Sequence, residues 1–313
     1  MRFNHIFGPV PSRRLGMSLG VDLVLHKICS MDCIYCECGE TTQLTLDRME
    51  YVRFRDVKEE LDRFLRHHPD PDYITFSGSG EPTLNPCMGE FIDYIRSIRP
   101  HVGIAVLTNS SLINYPDVKA ALLKADLVLP SLDAVQEEAF LSINRPHPEL
   151  EIGAIAKGIE DFAREFTGRI WLEVLILPGI NDELPHLIAL KELIHRIKPE
   201  KLQLNTLDRP GTLSEITPAS FEDLQWVERI LDYPNTEIIA KAKGDIKTYF
   251  RQDDFKTALI ETIRRRPCTK ADLLKIFGTD EQLLDRHLKD LMRERKIVSM
   301  HGKRGSFYHT TRA

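Results

Sequence analysis

Four of the chain's six cysteines, Cys29, Cys33, Cys36 and Cys38, fall within ten residues, while Cys87 and Cys268 stand far from them. A disulfide framework spreads its cysteines to close long loops, so so compact a group points to metal binding or thiol redox chemistry. Cys29-x3-Cys33-x2-Cys36 brings three thiolates onto one short loop, close enough to serve one metal centre. A structural zinc site or an all-cysteine iron-sulfur site takes four protein ligands. Three leave a position open, as in a [4Fe-4S] cluster with one iron free for an exogenous ligand. Cys38 is the candidate fourth ligand, but its place two residues after Cys36 would crowd both onto one metal.

The elements that must position this loop are legible as an alternation. Short apolar runs at 19–25, 72–76, 102–108, 126–133, 170–177 and 201–207 are separated by longer segments whose apolar residues recur every three or four positions. Runs apolar almost throughout suit strands buried on both faces of a parallel sheet, and the longer segments suit amphipathic helices. The alternation predicts an α/β fold, a partial (β/α)6 TIM-like barrel over residues 1–243. Such sheets carry their chemistry in the loops that leave the C-terminal strand ends. The cysteine loop, SGSGEPTL, TNSS, SLDA, PGIND and NTLDRP all fall there, which predicts one rim and one site.

The spacing CxxxCxxC, with Tyr35 before the last cysteine, resembles the signature of the radical S-adenosylmethionine (SAM) superfamily. Gly78-Ser79-Gly80-Glu81-Pro82 resembles that family's glycine-glycine-glutamate motif with Ser79 in place of a glycine, and Ser131-Leu132-Asp133 resembles its strand-four motif. The resemblance covers most of residues 15–210. It implies a [4Fe-4S] cluster held by Cys29, Cys33 and Cys36, with the amino and carboxylate groups of SAM on the open iron. It also implies SAM contacts from Tyr35, Gly78, Ser79, Gly80, Glu81, Pro82, Asn109, Ser131, Asp133 and Asn205. The implied reaction takes one electron from an external reductant of flavodoxin or ferredoxin type and cleaves SAM to methionine and a 5'-deoxyadenosyl radical. That radical abstracts hydrogen from a substrate the sequence does not disclose. Taken alone, SGSGEP reads as a tight strand-to-helix turn, Asp133 as a helix cap and Asn109 as a cap or turn residue. PSRRLG, SGSGEPTL and INRP resemble the subgroup of wyosine-type tRNA synthases. Those enzymes carry further cysteines before the signature, whereas none precedes Cys29 here.

Beyond residue 243, three helical segments and two short strands about a Gly-Lys-Arg-Gly turn predict a winged helix-turn-helix module over 244–313. Residues 253–313 hold 14 Lys plus Arg and 9 Asp plus Glu, so this tail is +5 and the remainder is −10. The third helical segment, the second of the helix-turn-helix, opens Thr279-Asp280-Glu281-Gln282, and residues 280–296 balance five acidic against five basic side chains. A protein or peptide partner, or the barrel mouth, is therefore expected there in preference to nucleic acid. The rival function is a DNA-binding regulator that senses redox state or SAM; a third reading is a structural-zinc protein.

With 313 residues, 42% of them hydrophobic and 28% charged, the chain can bury a substantial core and is not disordered. Its net charge of −5 gives no chain-wide attraction to nucleic acid or an anionic membrane. No apolar run approaches the roughly 18 residues of a spanning helix, and the opening residues lack a signal-peptide core, so the chain is expected to be cytoplasmic. Arg13, Arg14, Arg145 and Arg209 lie near the expected loops as candidate clamps for an anionic group.

Overall fold

The computed structural model describes residues 3–12, 14–213, 215–239, 255–302 and 305–311. Arg13, the junction at 243/244, and the turn residues Lys303 and Arg304 lie outside the described residues.

In chain order, β1 (Ile6–Ser12) and β2 (Gly16–Val21) form an antiparallel hairpin, and β3 (Ile28–Cys29) and β4 (Gln43–Leu44) form a short parallel pair. Then come α1 (Phe54–His67), β5 (Tyr73–Phe76), α2 (Met88–Ile98), β6 (Gly103–Thr108), α3 (Pro116–Leu122), β7 (Leu127–Pro130) and α4 (Glu137–Asn144). α5 (Ile152–Glu165), β8 (Arg169–Leu175), α6 (Leu184–Ile197), β9 (Lys201–Asn205), α7 (Phe221–Leu231) and β10 (Thr236–Ile238) complete the first part. One eight-stranded sheet runs β1-β2-β5-β6-β7-β8-β9-β10, parallel from β2 onward. The six expected strands are present, in chain order, as β2 and β5 to β9.

Two edge strands go beyond the six expected. β1 carries Pro9 and Pro11, which obscure a strand pattern but are tolerated at a sheet edge, where an N–H is not needed on one side. β10 has only three residues. Helices α1 to α7 press their apolar stripes on the sheet's outer face, where Phe64, Phe91, Phe140 and Phe162 are buried. Each such ring contributes about 1.5 to 3 kcal/mol relative to exposure. The inner face holds a smaller cluster of Leu15, Ala105, Leu127, Leu129 and Trp171, and a buried Ser18–Thr75 hydroxyl pair at 2.7 Å.

Residues 255–302 and 305–311 include α8 (Phe255–Arg265), β11 (Cys268–Thr269), α9 (Lys270–Phe277), α10 (Glu281–Arg293), β12 (Ile297–Gly302) and β13 (Gly305–Thr310). The strands make an antiparallel sheet of order β11-β13-β12. Local sequence sets the helix ends. Thr269 and Asp272 form a reciprocal capping box on α9, Gly278 ends it at φ 53°, and the Asp280 side chain caps α10. This part has its own core, in which Phe255 meets Phe277 edge-on at 5.0 Å and Cys268 is buried. Val10 of β1 packs against that core.

Candidate cofactor site at the C-terminal rim

β3 and β4 pinch off residues 30–42, so the cysteine loop starts and ends at one point of the rim. Inside it, Cys36 N donates to Cys33 O and Gly39 N to Cys36 O, while Asp32 accepts from Thr41 N at 2.6 Å across the loop. Outside it, Asp32 N donates to Asn144 O and Arg145 O, and Ile34 N to Ile143 O, which ties the loop to the end of α4. Leu213 N donates to Ile34 O and the Thr212 hydroxyl to Cys33 O, which ties it to the segment after β9. Four parts of the chain thus fix the loop that carries the sulfurs.

Each of the three signature cysteines has its own N–H donor. Lys27 Nζ lies 3.0 Å from Cys36 Sγ, Asn109 Nδ2 3.5 Å from Cys29 Sγ, and Asn144 Nδ2 3.5 Å from Cys33 Sγ. Burial pushes the Cys29 thiol up to about 11 and the Cys33 thiol higher still. Cys36 goes the other way, down to about 6, because a hydrogen bond from Cys38 and the Lys27 ammonium outweigh its burial. Cys38, the partner in that bond, is pushed up, and its sulfur also lies 3.7 Å from Gly78 O. The ammonium of Lys27 is held above its ordinary range: burial opposes this, and the charges of Cys36, Cys29 and Cys38 prevail.

The glycine motif lies against the entry to the loop. A Cβ on Gly80 would meet Ile28 O at 2.0 Å, and the next residue, Glu81, donates its N–H to the same carbonyl. Gly78 has φ 124°, and a Cβ there would strike Asp22 Oδ1, which accepts instead from Ser79 N at 2.8 Å. Both glycines are thus required by the protein's own packing. Glu81 is buried, with Oε1 accepting from Thr83 N, Thr83 Oγ1 and Thr108 Oγ1, and Oε2 from Asn109 N at 2.7 Å. Burial holds it above the usual carboxylate range in spite of those donors. Pro82 begins a buried 3-10 turn that Glu81 caps.

Asp133 is also buried, and it is not the cap of α4, a place taken by Gln136. Its carboxylate accepts from the Tyr35 hydroxyl, from Asn144 Nδ2 at 2.9 Å and from Leu175 N at 3.0 Å. Burial pushes it up as well. Asn109 combines two roles, accepting from Ser111 N in a turn and donating to Ser30 Oγ at 2.9 Å. Ser131 is half-buried and its carbonyl accepts from Ser110 Oγ; Asn205 is buried, with Oδ1 accepting from Thr206 N. The structure therefore brings Asn109 and Asp133 to the cysteine loop, which itself carries Tyr35, and sets Asn205 further round the rim, at the end of β9.

The arginines divide. Arg14 reaches the inner face, ion-paired with Glu173 and bonded to Gln203 Oε1 at 3.0 Å. Arg145 is exposed and 4.0 Å from Asp32. Arg209 is buried between segments, 3.0 Å from Glu37 of the cysteine loop and 3.5 Å from Asp272 of α9. Sequence reasoning missed Lys27, Asp22 and Asn144. The INRP segment, singled out for its arginine, contained Asn144; nothing in the sequence marked the other two.

The donor set fits a multi-iron cluster better than a single ion. Three sulfurs carried on one loop, each with a different N–H donor, suit a cluster that distributes its thiolates over separate irons. N–H donors on each sulfur are the hydrogen bonds that such clusters take.

A family model described as Radical SAM superfamily matches residues 23–190, more than half of the chain. The chain belongs to the radical SAM superfamily. It is an enzyme of that superfamily, with a parallel-sheet α/β fold. It is 35% identical over 253 residues to UPF0026 protein MJ1312 of Methanocaldococcus jannaschii, covering 80% of this chain and 76% of that protein. It is 33% identical over 305 residues to GTPase Obg of Brachyspira hyodysenteriae, covering 95% of this chain but only 44% of that protein. The chain thus spans less than half the length of that relative. Its fold is similar to that of Streptococcus suis SuiB bound to S-adenosylmethionine, with a TM-score of 0.50 and 12% identity over 76% of this chain and 54% of that one. Among the described residues no helix is long and apolar enough to cross a membrane.

Proposed function

We propose that Cys29, Cys33 and Cys36 hold a [4Fe-4S] cluster with one iron open to SAM, and that the enzyme acts on a substrate bound over the same rim. The observation that carries this reading is the set of three rim sulfurs on one loop, each with its own N–H donor. Bound there, cluster and SAM supply reductive cleavage of the sulfonium and a 5'-deoxyadenosyl radical, driven by an external one-electron reductant of flavodoxin or ferredoxin type. The chain's own part is to hold and orient. Tyr35, Gly78, Ser79, Gly80, Asn109, Ser131 and Asn205 supply the polar surface for SAM. Glu81, Pro82 and Asp133, buried and engaged with their neighbours, act by fixing that surface. Cys38, bonded to Cys36, is assigned no iron.

Two units, 1–243 and 244–313, are proposed on the strength of their separate cores. The order helix, short strand, two helices and hairpin supports a winged-helix reading of the second. Its Asp272 pairs with Arg209 and its core receives Val10, so it serves as a protein-facing module set against the barrel. A DNA-binding regulator is not favoured, because α10 opens on Asp280 and Glu281 where a reading helix would meet phosphates.

The test is anaerobic reconstitution with iron and sulfide, then incubation with SAM and a strong reductant. A cluster and 5'-deoxyadenosine are expected in the wild type and in Cys38→Ala, and neither in Cys29→Ala, Cys33→Ala or Cys36→Ala. A cluster that survives in Cys29→Ala and is lost in Cys38→Ala would overturn the ligand assignment.

A further inference from the structure

Lys27 meets the site from three directions. Its backbone N–H donates to Ser79 O in the glycine motif at 2.9 Å, and its carbonyl accepts from Thr42 N at 2.9 Å on the far side of the cysteine loop. Its φ of 58° lies in the left-handed region, which a lysine adopts only where the surrounding structure demands it. The residue is 2% exposed, and its side chain places Nζ 3.0 Å from Cys36 Sγ. Among the described residues no carboxylate pairs with that ammonium, so a buried positive charge has a cysteine sulfur as its counterpart. A buried ammonium is retained in a fold only where anionic charge faces it.

We propose that Lys27 is a positioning residue for the iron-sulfur centre, and that its ammonium, bonded to Cys36 Sγ, raises the centre's one-electron reduction potential. The proposal rests on the reading of the three cysteines as cluster ligands. On reduction one electron arrives from the external flavodoxin- or ferredoxin-type donor, no atom is transferred, and the centre becomes one charge more negative. A fixed positive charge in a site of low dielectric stabilises that added charge, and hydrogen bonds to the sulfurs act in the same sense. Asn109 and Asn144 supply only neutral donors at 3.5 Å, so the largest share belongs to Lys27. The backbone bonds of residue 27 hold the loop whatever the side chain is, which separates the electrostatic role from a structural one.

The experiment is a potentiometric titration of reconstituted full-length protein, followed by electron paramagnetic resonance, with iron and sulfide content measured on the same samples. Lys27→Met and Lys27→Gln are expected to take up full iron and to show, at a fixed poise, at least a tenfold lower ratio of reduced to oxidised centre. That is about 59 mV for a one-electron couple. Lys27→Arg, which keeps the charge, is expected to restore most of the shift. Lys27→Gln keeps an N–H donor without the charge, so full iron with a wild-type potential in that variant would overturn the proposal even if Lys27→Met loses iron. An Arg variant displaced as far as Met would overturn it too. If the wild type takes up no cluster, the cysteine reading itself falls; if the cluster forms and only the shift is missing, this inference alone falls.

Discussion

The two rims of the parallel sheet carry similar side chains and use them differently. At the N-terminal rim carboxylates meet arginines and a histidine near the surface: Asp70 lies 2.8 Å from both Arg99 and His101, and Asp126 lies 2.9 Å from Arg96. Around them opens a cavity of about 550 Å³ lined by Tyr73, Arg96, His101, Gly103, Asp126 and Arg169. At the C-terminal rim Glu81 and Asp133 are buried and bonded to hydroxyl, amide and backbone donors, and the space among Tyr35, Asn109, Ser131, Asp133 and Asn144 is about 10 Å³. The larger hollow is therefore not where the reactive groups gather. Exposed ion pairs satisfy one another and leave little for a ligand, whereas carboxylates and sulfurs buried among hydrogen-bond donors are costly and persist where they hold a site.

The contrast breaks most readily at Gly80. Its missing Cβ leaves room for the backbone of β3, 2.0 Å from where that atom would be, and backbone cannot swing aside as a side chain can. Gly80→Ala is expected to abolish iron uptake and to lower the melting temperature. At the opposite rim, the three atoms nearest a Cβ on Gly103 all belong to the Tyr73 ring, a side chain. Gly103→Ala is expected to leave iron uptake intact, as iron and sulfide analysis after reconstitution will show.

A smaller effect sharpens the comparison through the carboxylates. Glu81→Gln sets an amide N–H against donors that now have an acceptor, and is expected to cost about 1 to 3 kcal/mol in urea unfolding. Asp70→Asn, at an exposed pair, is expected to cost less than about 1 kcal/mol. The pH dependence has opposite signs. Glu81 and Asp133 bind protons more readily folded than unfolded, so their contribution is full below the ordinary carboxylate range and is lost as pH rises through their raised values. At Asp70 burial opposes, but Arg99 and His101 prevail and hold the carboxyl down. Its contribution is present above the ordinary value and is lost as pH falls through the depressed one. Glu81→Gln should therefore flatten the loss on the alkaline side of that range and leave the acid limb unchanged.

The frame of the molecule was legible because periodicity is a local property: six apolar runs became β2 and β5 to β9, and the polar loops fell on one rim. Cysteine spacing was legible for the same reason. β1 was not, because Pro9 and Pro11 read as turn residues until an edge strand is known to be there. Lys27 sits in an unremarkable LHKIC sequence, and neither its left-handed backbone nor its burial can be read from neighbours in the chain. Glu81 and Asp133 were identified by motif, but their partners Thr108, Asn109, Asn144 and Leu175 lie 11 to 42 residues away, and tertiary contact alone reveals what the carboxylates hold.

The decisive property of the C-terminal rim is whether it presents an iron with one open position to SAM. Electron paramagnetic resonance of the reduced, reconstituted protein, recorded before and after SAM is added, tests this directly. A spectrum whose g-values shift with SAM in the wild type, and shift likewise in Cys38→Ala, is the predicted result. A cluster spectrum that SAM leaves unchanged would contradict it.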